Sequence, residues 1–250
     1  MIHSALLVTL GVAITVFMSF WSVVFSIFPD ADNKIHKVAN LWAKILLLIC
    51  NTKVKVIGKE NLLHGKPQIF MANHQSDFDI LIVLAYIPVQ FRWIAKKELF
   101  SIPVFGTAMK SADYIEIDRH NREKALQSID EAALRIRRGK SIMTFPEGTR
   151  SRDGEIKAFK QGAFHLAIKS GVPIVPVSII GSGRIMPKRS VKIKSGQIKL
   201  VIGEPIEVKS FDIEKRHELI KKVRDTIIKN YDAWKEPENL NIKDMESKVI

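Results

Sequence analysis

The sequence predicts an α/β fold, a central mostly parallel or mixed sheet flanked by helices, with two further helices in front of it. Three observations carry this. From Val54 onward, short apolar runs rich in β-branched residues alternate with helix-period segments, the pattern of a sheet with helices on its faces. Residues 1 to 29 contain no Asp, Glu, Lys or Arg. Between these parts, Ile35, Val38, Ala39, Trp42, Ile45, Leu46 and Ile49 recur at three and four spacing, the period of an amphipathic helix.

Ala5 to Phe28 is apolar almost throughout and longer than the roughly 20 residues a bilayer-spanning helix needs. No Lys or Arg precedes it and no small-x-small site follows it, which argues against a cleaved leader. Lys34, Lys37 and Lys44 flank Trp42 in the second segment, as at a membrane interface. The pair is therefore read as a membrane-associating segment over 1–50, preferably dipping into one leaflet. The basic residues that follow put the body on the cytoplasmic side. The α/β domain is expected over 51–235, and a polar tail over 236–250. The body begins at 54–57, and strands are expected at 68–72, 114–117, 141–145, 174–179 and 198–202. Helices are expected at 80–86, from 98 toward 110, and at 121–138, 162–170 and 213–229. In the 121–138 helix, Ala125, Ile129, Ala132, Ala133 and Ile136 make one apolar stripe, a core face.

Across its 250 residues the chain carries a net charge of +13, which favours anionic partners: nucleic acid, anionic lipid or acidic carrier proteins. Nucleic acid is the weakest of these, because no zinc-finger spacing or RNP-like block is present. The single Cys50 excludes an intramolecular disulfide and a multi-cysteine metal site. Gly139-Lys140-Ser141 lacks the first glycine of a P-loop, since position 134 is Leu134. No metal and no nucleotide cofactor are expected.

Two stretches carry chemistry. Asn73-His74-Gln75-Ser76-Asp77-Phe78-Asp79 follows a strand-like run. A neutral imidazole takes a proton near pH 7, and a nearby carboxylate fixes its tautomer. By sequence distance alone Asp77 and Asp79 are equal partners for His74. Ser76 reads as a helix cap. Phe145-Pro146-Glu147-Gly148-Thr149-Arg150-Ser151 pairs a turn with a guanidinium suited to bidentate phosphate binding.

These blocks, with two more in order, resemble the glycerolipid acyltransferase family, most closely its bacterial 1-acyl-sn-glycerol-3-phosphate acyltransferases. His74 and Asp79 match the family's H-x4-D motif. Lys96 to Gly106 with Ile117-Asp118-Arg119, then Phe145 to Ser151, then Val172 to Ser178 match its other blocks. The resemblance spans roughly residues 55 to 205 and makes 51–235 an acyltransferase domain. It implies transfer of an acyl group from a thioester, of acyl-carrier protein or coenzyme A, to the sn-2 hydroxyl of lysophosphatidic acid, giving phosphatidic acid. It implies His74 as base, Asp79 as its orienting partner, and a phosphate site of Glu147, Gly148, Thr149 and Arg150 with Lys96 or Lys97. The alternatives are another acceptor, such as lyso-ornithine lipid or glycerol 3-phosphate, or a non-catalytic protein that binds anionic membrane lipids.

Overall fold

The computed structural model describes residues 2–118 and 120–235. Arg119 and the expected 236–250 tail lie outside the described residues. The first two helices are α1 (Ile2–Phe25) and α2 (Ala31–Ile49). The body then runs β1 (Thr52–Ile57), β2 (Ile69–Ala72), α3 (Phe78–Tyr86), β3 (Phe91–Lys96), α4 (Lys97–Phe100), α5 (Phe105–Ser111) and β4 (Ile115–Ile117). It continues with α6 (Arg122–Arg137), β5 (Ser141–Thr144), α7 (Gln161–Ser170), β6 (Ile174–Ile180), α8 (Ser182–Ile185), β7 (Gly196–Ile202) and α9 (Arg216–Trp234).

Among the described residues the strands form one seven-stranded sheet in the order β1-β7-β6-β2-β5-β3-β4. The five strands from β6 to β4 are mutually parallel. β7 runs antiparallel to β6 and parallel to β1. The sheet is therefore mixed, as expected.

Alternation along the strands builds two cores. Phe70 and Ala72 of β2 face α2 and α3, while Ile69 and Met71 face α6, α7 and α9. Both faces of β2 are buried, which is why it reads as a continuous apolar run. Ile129, Ala132, Ala133 and Ile136 form the buried face of α6. The Asn121 side chain caps that helix by accepting the Lys124 amide at 3.0 Å.

The two N-terminal helices differ. Leu6, Val12, Phe17 and Phe20 leave much of α1 exposed and apolar. In contrast, α2 buries Ile35, His36, Ala43, Leu46 and Leu47 and packs on α3. Its start is fixed by charge. Asp32 pairs with the fully buried Arg92 of β3 at 2.6 Å and with Lys140 at 2.5 Å. Burial raises the Asp32 pKa, but the Lys140 and Arg92 hydrogen bonds outweigh it and hold the carboxyl at about 2. Burial keeps the neighbouring His36 neutral, lowered to about 3 with Arg92 assisting. α2 is thus a core helix on one face, whatever its outer face meets.

β3 was not among the expected strands. The expected helix from 98 toward 110 is broken by Ser101 to Val104 into α4 and α5. A Cβ on Gly106 would lie 2.1 Å from the Phe100 carbonyl, so only glycine lets the two short helices close on each other. Leu47→Ala tests the packing of α2. It should cost about 2–5 kcal/mol, read by denaturant unfolding of the detergent-solubilised protein. A loss near the roughly 0.5 kcal/mol of surface positions would mean that α2 is only loosely docked.

Candidate active site

The site lies beyond the carboxyl ends of the neighbouring parallel strands β2 and β5, the usual crevice of such sheets. β2 leads to Asn73, whose side chain bonds Ile179 of β6 twice, donating at 2.9 Å and accepting at 2.7 Å. His74 comes next, and its backbone is held by the loop after β5. The His74 amide donates to Glu147 Oε1 at 2.8 Å, and the His74 carbonyl accepts the Ser151 amide at 2.8 Å.

Those clamps aim the imidazole. His74 Nδ1 lies 2.9 Å from Asp79 Oδ2. The same oxygen accepts the Gln75 amide at 2.7 Å and the Ser76 amide at 2.8 Å. Asp79 is fully buried in the first turn of α3, where the helix N-terminus favours its charge. Asp79 therefore accepts a hydrogen bond from Nδ1–H, which leaves Nε2 as the basic nitrogen. The ring stacks on Phe145, with centroids 3.9 Å apart and planes at 7°. Ser76 Oγ accepts the Phe78 amide at 3.2 Å, as a helix cap does, and donates to the Met186 carbonyl at 2.7 Å.

The expected phosphate residues divide. Gly148, Thr149 and Arg150 line the cavity that His74 faces, and so does Lys96. Gly148 has φ +72°, and a Cβ there would meet Lys160 Cε at 2.8 Å, so the turn requires glycine. Arg150 pairs with Asp77, the other candidate partner of His74. Lys97 turns away and pairs with Asp118 at 2.6 Å, which raises the Lys97 pKa and lowers that of Asp118.

The expectation for Glu147 is corrected. Its carboxylate is buried and accepts the His74 amide and the Lys157 amide, the latter at 3.1 Å. Burial raises its pKa, with those two amides opposing. It ties the His74 loop to its own and does not face the cavity. Pro176 sits within β6 and lines no part of the cavity either.

The cavity holds about 480 Å³. Its charged side carries His74, Asp77, Lys96, Arg150 and Lys188. Its apolar side is walled by Met18 of α1, Val38 and Trp42 of α2, and Phe105 and Met109 of α5. Trp42 Nε1 donates to Thr15 Oγ1 at 3.0 Å and so joins α1 to α2 along this wall. Sequence reasoning gave Phe145 and Lys188 no role and saw no pocket wall in the N-terminal helices. Phe145 lay inside a quoted motif and was the findable one. An imidazole on an aromatic face, a carboxylate on its far nitrogen, guanidinium nearby and a long apolar recess suit proton removal from a polar group on an anionic, chain-bearing molecule.

Comparison with known proteins agrees. The Acyltransferase family model matches residues 53–180. A chloroplastic 1-acyl-sn-glycerol-3-phosphate acyltransferase of Arabidopsis thaliana is 35% identical over 180 residues, covering 71% of this chain and 50% of the relative. The chain thus spans about half the length of such chloroplastic relatives. The enzyme so named from Saccharomyces cerevisiae is 32% identical over 216 residues, covering 84% of this chain and 71% of the relative. The crystal structure of the 1-acyl-sn-glycerophosphate acyltransferase PlsC from Thermotoga maritima superposes with a TM-score of 0.82 at 28% identity, covering 95% of this chain and 97% of that one. By the match to the family model over half of its length and by these relatives, the chain belongs to the acyltransferase family.

Proposed function

We propose that the protein transfers a fatty acyl group from a thioester to the sn-2 hydroxyl of 1-acyl-glycerol 3-phosphate, giving phosphatidic acid and a free thiol. The observation that carries this is the His74–Asp79 pair on a cavity lined both by Arg150 and by apolar residues of the first two helices. The names of the relatives support the same acceptor.

The mechanism follows from the contact between His74 Nδ1 and Asp79. His74 Nε2 removes the acceptor hydroxyl proton as the oxygen attacks the thioester carbonyl. Asp79 stabilises the imidazolium without taking its proton. The tetrahedral intermediate collapses, the carbon–sulfur bond breaks, and His74 returns the proton to the departing thiolate. The acceptor alcohol fills the place of a nucleophilic serine, so no acyl-enzyme forms. Arg150, with Thr149 and the Gly148 turn, holds the phosphate, and Lys96 adds positive charge. The acyl chain lies in the recess between α1, α2 and α5. Acyl-carrier protein or coenzyme A supplies the thioester.

The same reading attaches the protein to a membrane. His3–Phe25 is long and apolar enough to cross one. Ile102 and Val104, just before α5, are exposed apolar residues, and α5 packs on α1. The body faces the cytoplasm.

The direct test assays purified full-length protein in detergent with lysophosphatidate, other lysolipids and both donor types. His74→Ala should lower kcat by roughly a hundredfold or more, with acceptor binding kept; near-normal turnover would end the mechanism. Asp79→Asn should be similarly severe, because an amide cannot stabilise imidazolium as a carboxylate does. Asp77→Asn should be mild, because its partner is Arg150; the reverse order would reassign the pair. Arg150→Ala should raise the acceptor KM about ten- to a hundredfold, the scale of a charge-assisted hydrogen bond. Arg150→Lys should fall between, since it keeps charge and loses the planar fork. An equal effect on a phosphate-free acceptor would make Arg150 structural. In membranes, the protein should stay bound through a high-salt wash, because salt screens charge and not apolar burial. Release by salt would rule out α1 as the anchor.

A further inference from the structure

The loop after α8 brings a cation to the site that none of the four sequence blocks contains. We propose that Lys188 is a second phosphate-binding residue, which forms with Arg150 a two-armed clamp selective for a phosphomonoester. The proposal rests on reading the cavity as the lysophosphatidate site, and it adds a determinant of acceptor specificity.

Lys188 lines the same cavity as His74, Asp77, Thr149 and Arg150. Its Nζ donates to Thr149 Oγ1 at 3.1 Å and to the Arg150 carbonyl at 2.5 Å. The ammonium is thereby held against the loop that carries Arg150. An ammonium has three donors, and these contacts use two of them.

The loop is held in place from the catalytic side. Ser76 Oγ donates to the carbonyl of Met186, two residues before Lys188. The Lys194 amide donates to Ile185 O at 2.9 Å and closes the loop's other end. The loop that carries Lys188 is therefore tied to the H-x4-D turn through Ser76.

The local field favours an anion. Desolvation, and then Arg152, Lys157, Arg150 and Arg189, lower the pKa of the Lys188 ammonium. Against these cations stands Asp77, already paired with Arg150, and Asp153, which accepts the Ser151 hydroxyl at 2.6 Å. A phosphomonoester brings close to two negative charges and three acceptor oxygens. A guanidinium fork takes two of those oxygens and an ammonium takes the third. A phosphodiester headgroup has one charge and fewer free oxygens, and a neutral glyceride offers neither. Two cations on separate loops thus select for the monoester.

The experiment uses full-length protein in detergent with Lys188→Gln and Lys188→Arg. Steady-state kinetics are measured at a fixed thioester concentration with lysophosphatidate, lysophosphatidylglycerol and monoacylglycerol. Binding of lysophosphatidate is measured without donor. Lys188→Gln should raise the KM for lysophosphatidate about ten- to a hundredfold, with a far smaller change in kcat. Preference for the monoester over the diester should fall in step, and Lys188→Arg should restore most of it. An unchanged acceptor KM, an equal rise for monoacylglycerol, or a rise in the thioester KM alone would overturn the clamp. The binding measurement separates this from the acyl-transfer reading. Wild-type protein that binds lysophosphatidate through Lys188 but never acylates it would refute the reaction and leave the clamp standing.

Discussion

Asp79 Oδ2 accepts three hydrogen bonds, from the His74 ring and from the Gln75 and Ser76 amides. A buried carboxylate is costly unless its charge is matched by donors. Here one oxygen collects two amides of the turn into α3 and the proton of the base. The turn, the helix start and the imidazole tautomer are therefore one object. Its supports come from separate strands: Asn73 binds β6, and Glu147 and Ser151 bind the His74 backbone from the loop after β5. The parallel pairing of β2 with both β5 and β6 delivers those loops to one place, so the sheet order is what gives the base a fixed direction.

The N-terminal helices join this site to an exposed apolar surface. α2 belongs to the core on one face and to the cavity wall on another. α1 contributes a wall and exposes much of its remaining apolar surface. Trp42 ties them together through Thr15. The buried Arg92 and Asp32 lock the start of α2 to β3 and, through Lys140, to the approach to β5. On the proposed reading, a lipid acceptor and its chain enter between elements held from both sides. The segment that meets the membrane is then also part of the enzyme, and it cannot be exchanged as a passive anchor.

Much of this was legible in the sequence, for physical reasons. Strands buried on both faces are mostly apolar runs, continuous in β2 and interrupted by Ser178 in β6, and α6 shows its 3.6-residue stripe. The base, its carboxylate and the guanidinium belong to motifs whose chemistry restricts the residue types. Other features were hidden because they depend on distant partners. β3 was missed because Arg92 interrupts its apolar run, and it is bonds to Asp32, Asn33, Gln90 and the Phe91 carbonyl that make a buried arginine tolerable there. Glu147 read as a ligand residue because it stands in the block whose resemblance implied the phosphate site. Its true partners are backbone amides, one of them ten residues on, and amides leave no trace in a sequence. Lys188 lies after the last recognisable block and reaches the site only through the fold.

The choice between Asp77 and Asp79 shows where sequence distance fails and helix geometry decides. Both carboxylates lie within five residues of His74. On a helix, residues two apart point about 200° away from each other. Asp77 and Asp79 flank the start of α3, so both cannot face the imidazole. The chain must turn before the helix begins, and the Gln75 and Ser76 amides exposed by that turn need an acceptor. Asp79, inside the first turn, meets them and the His74 ring together. Asp77 then faces out, where it meets Arg150 across the cavity mouth. On the proposed reading the two acids thus have separate roles, one holding the base and the other balancing a cation until an anion arrives. An exposed pair such as Asp77 with Arg150 is worth little in stability. On that same reading a phosphate with two charges displaces Asp77 at small cost, while the buried bonds of Asp79 stay intact through the same event.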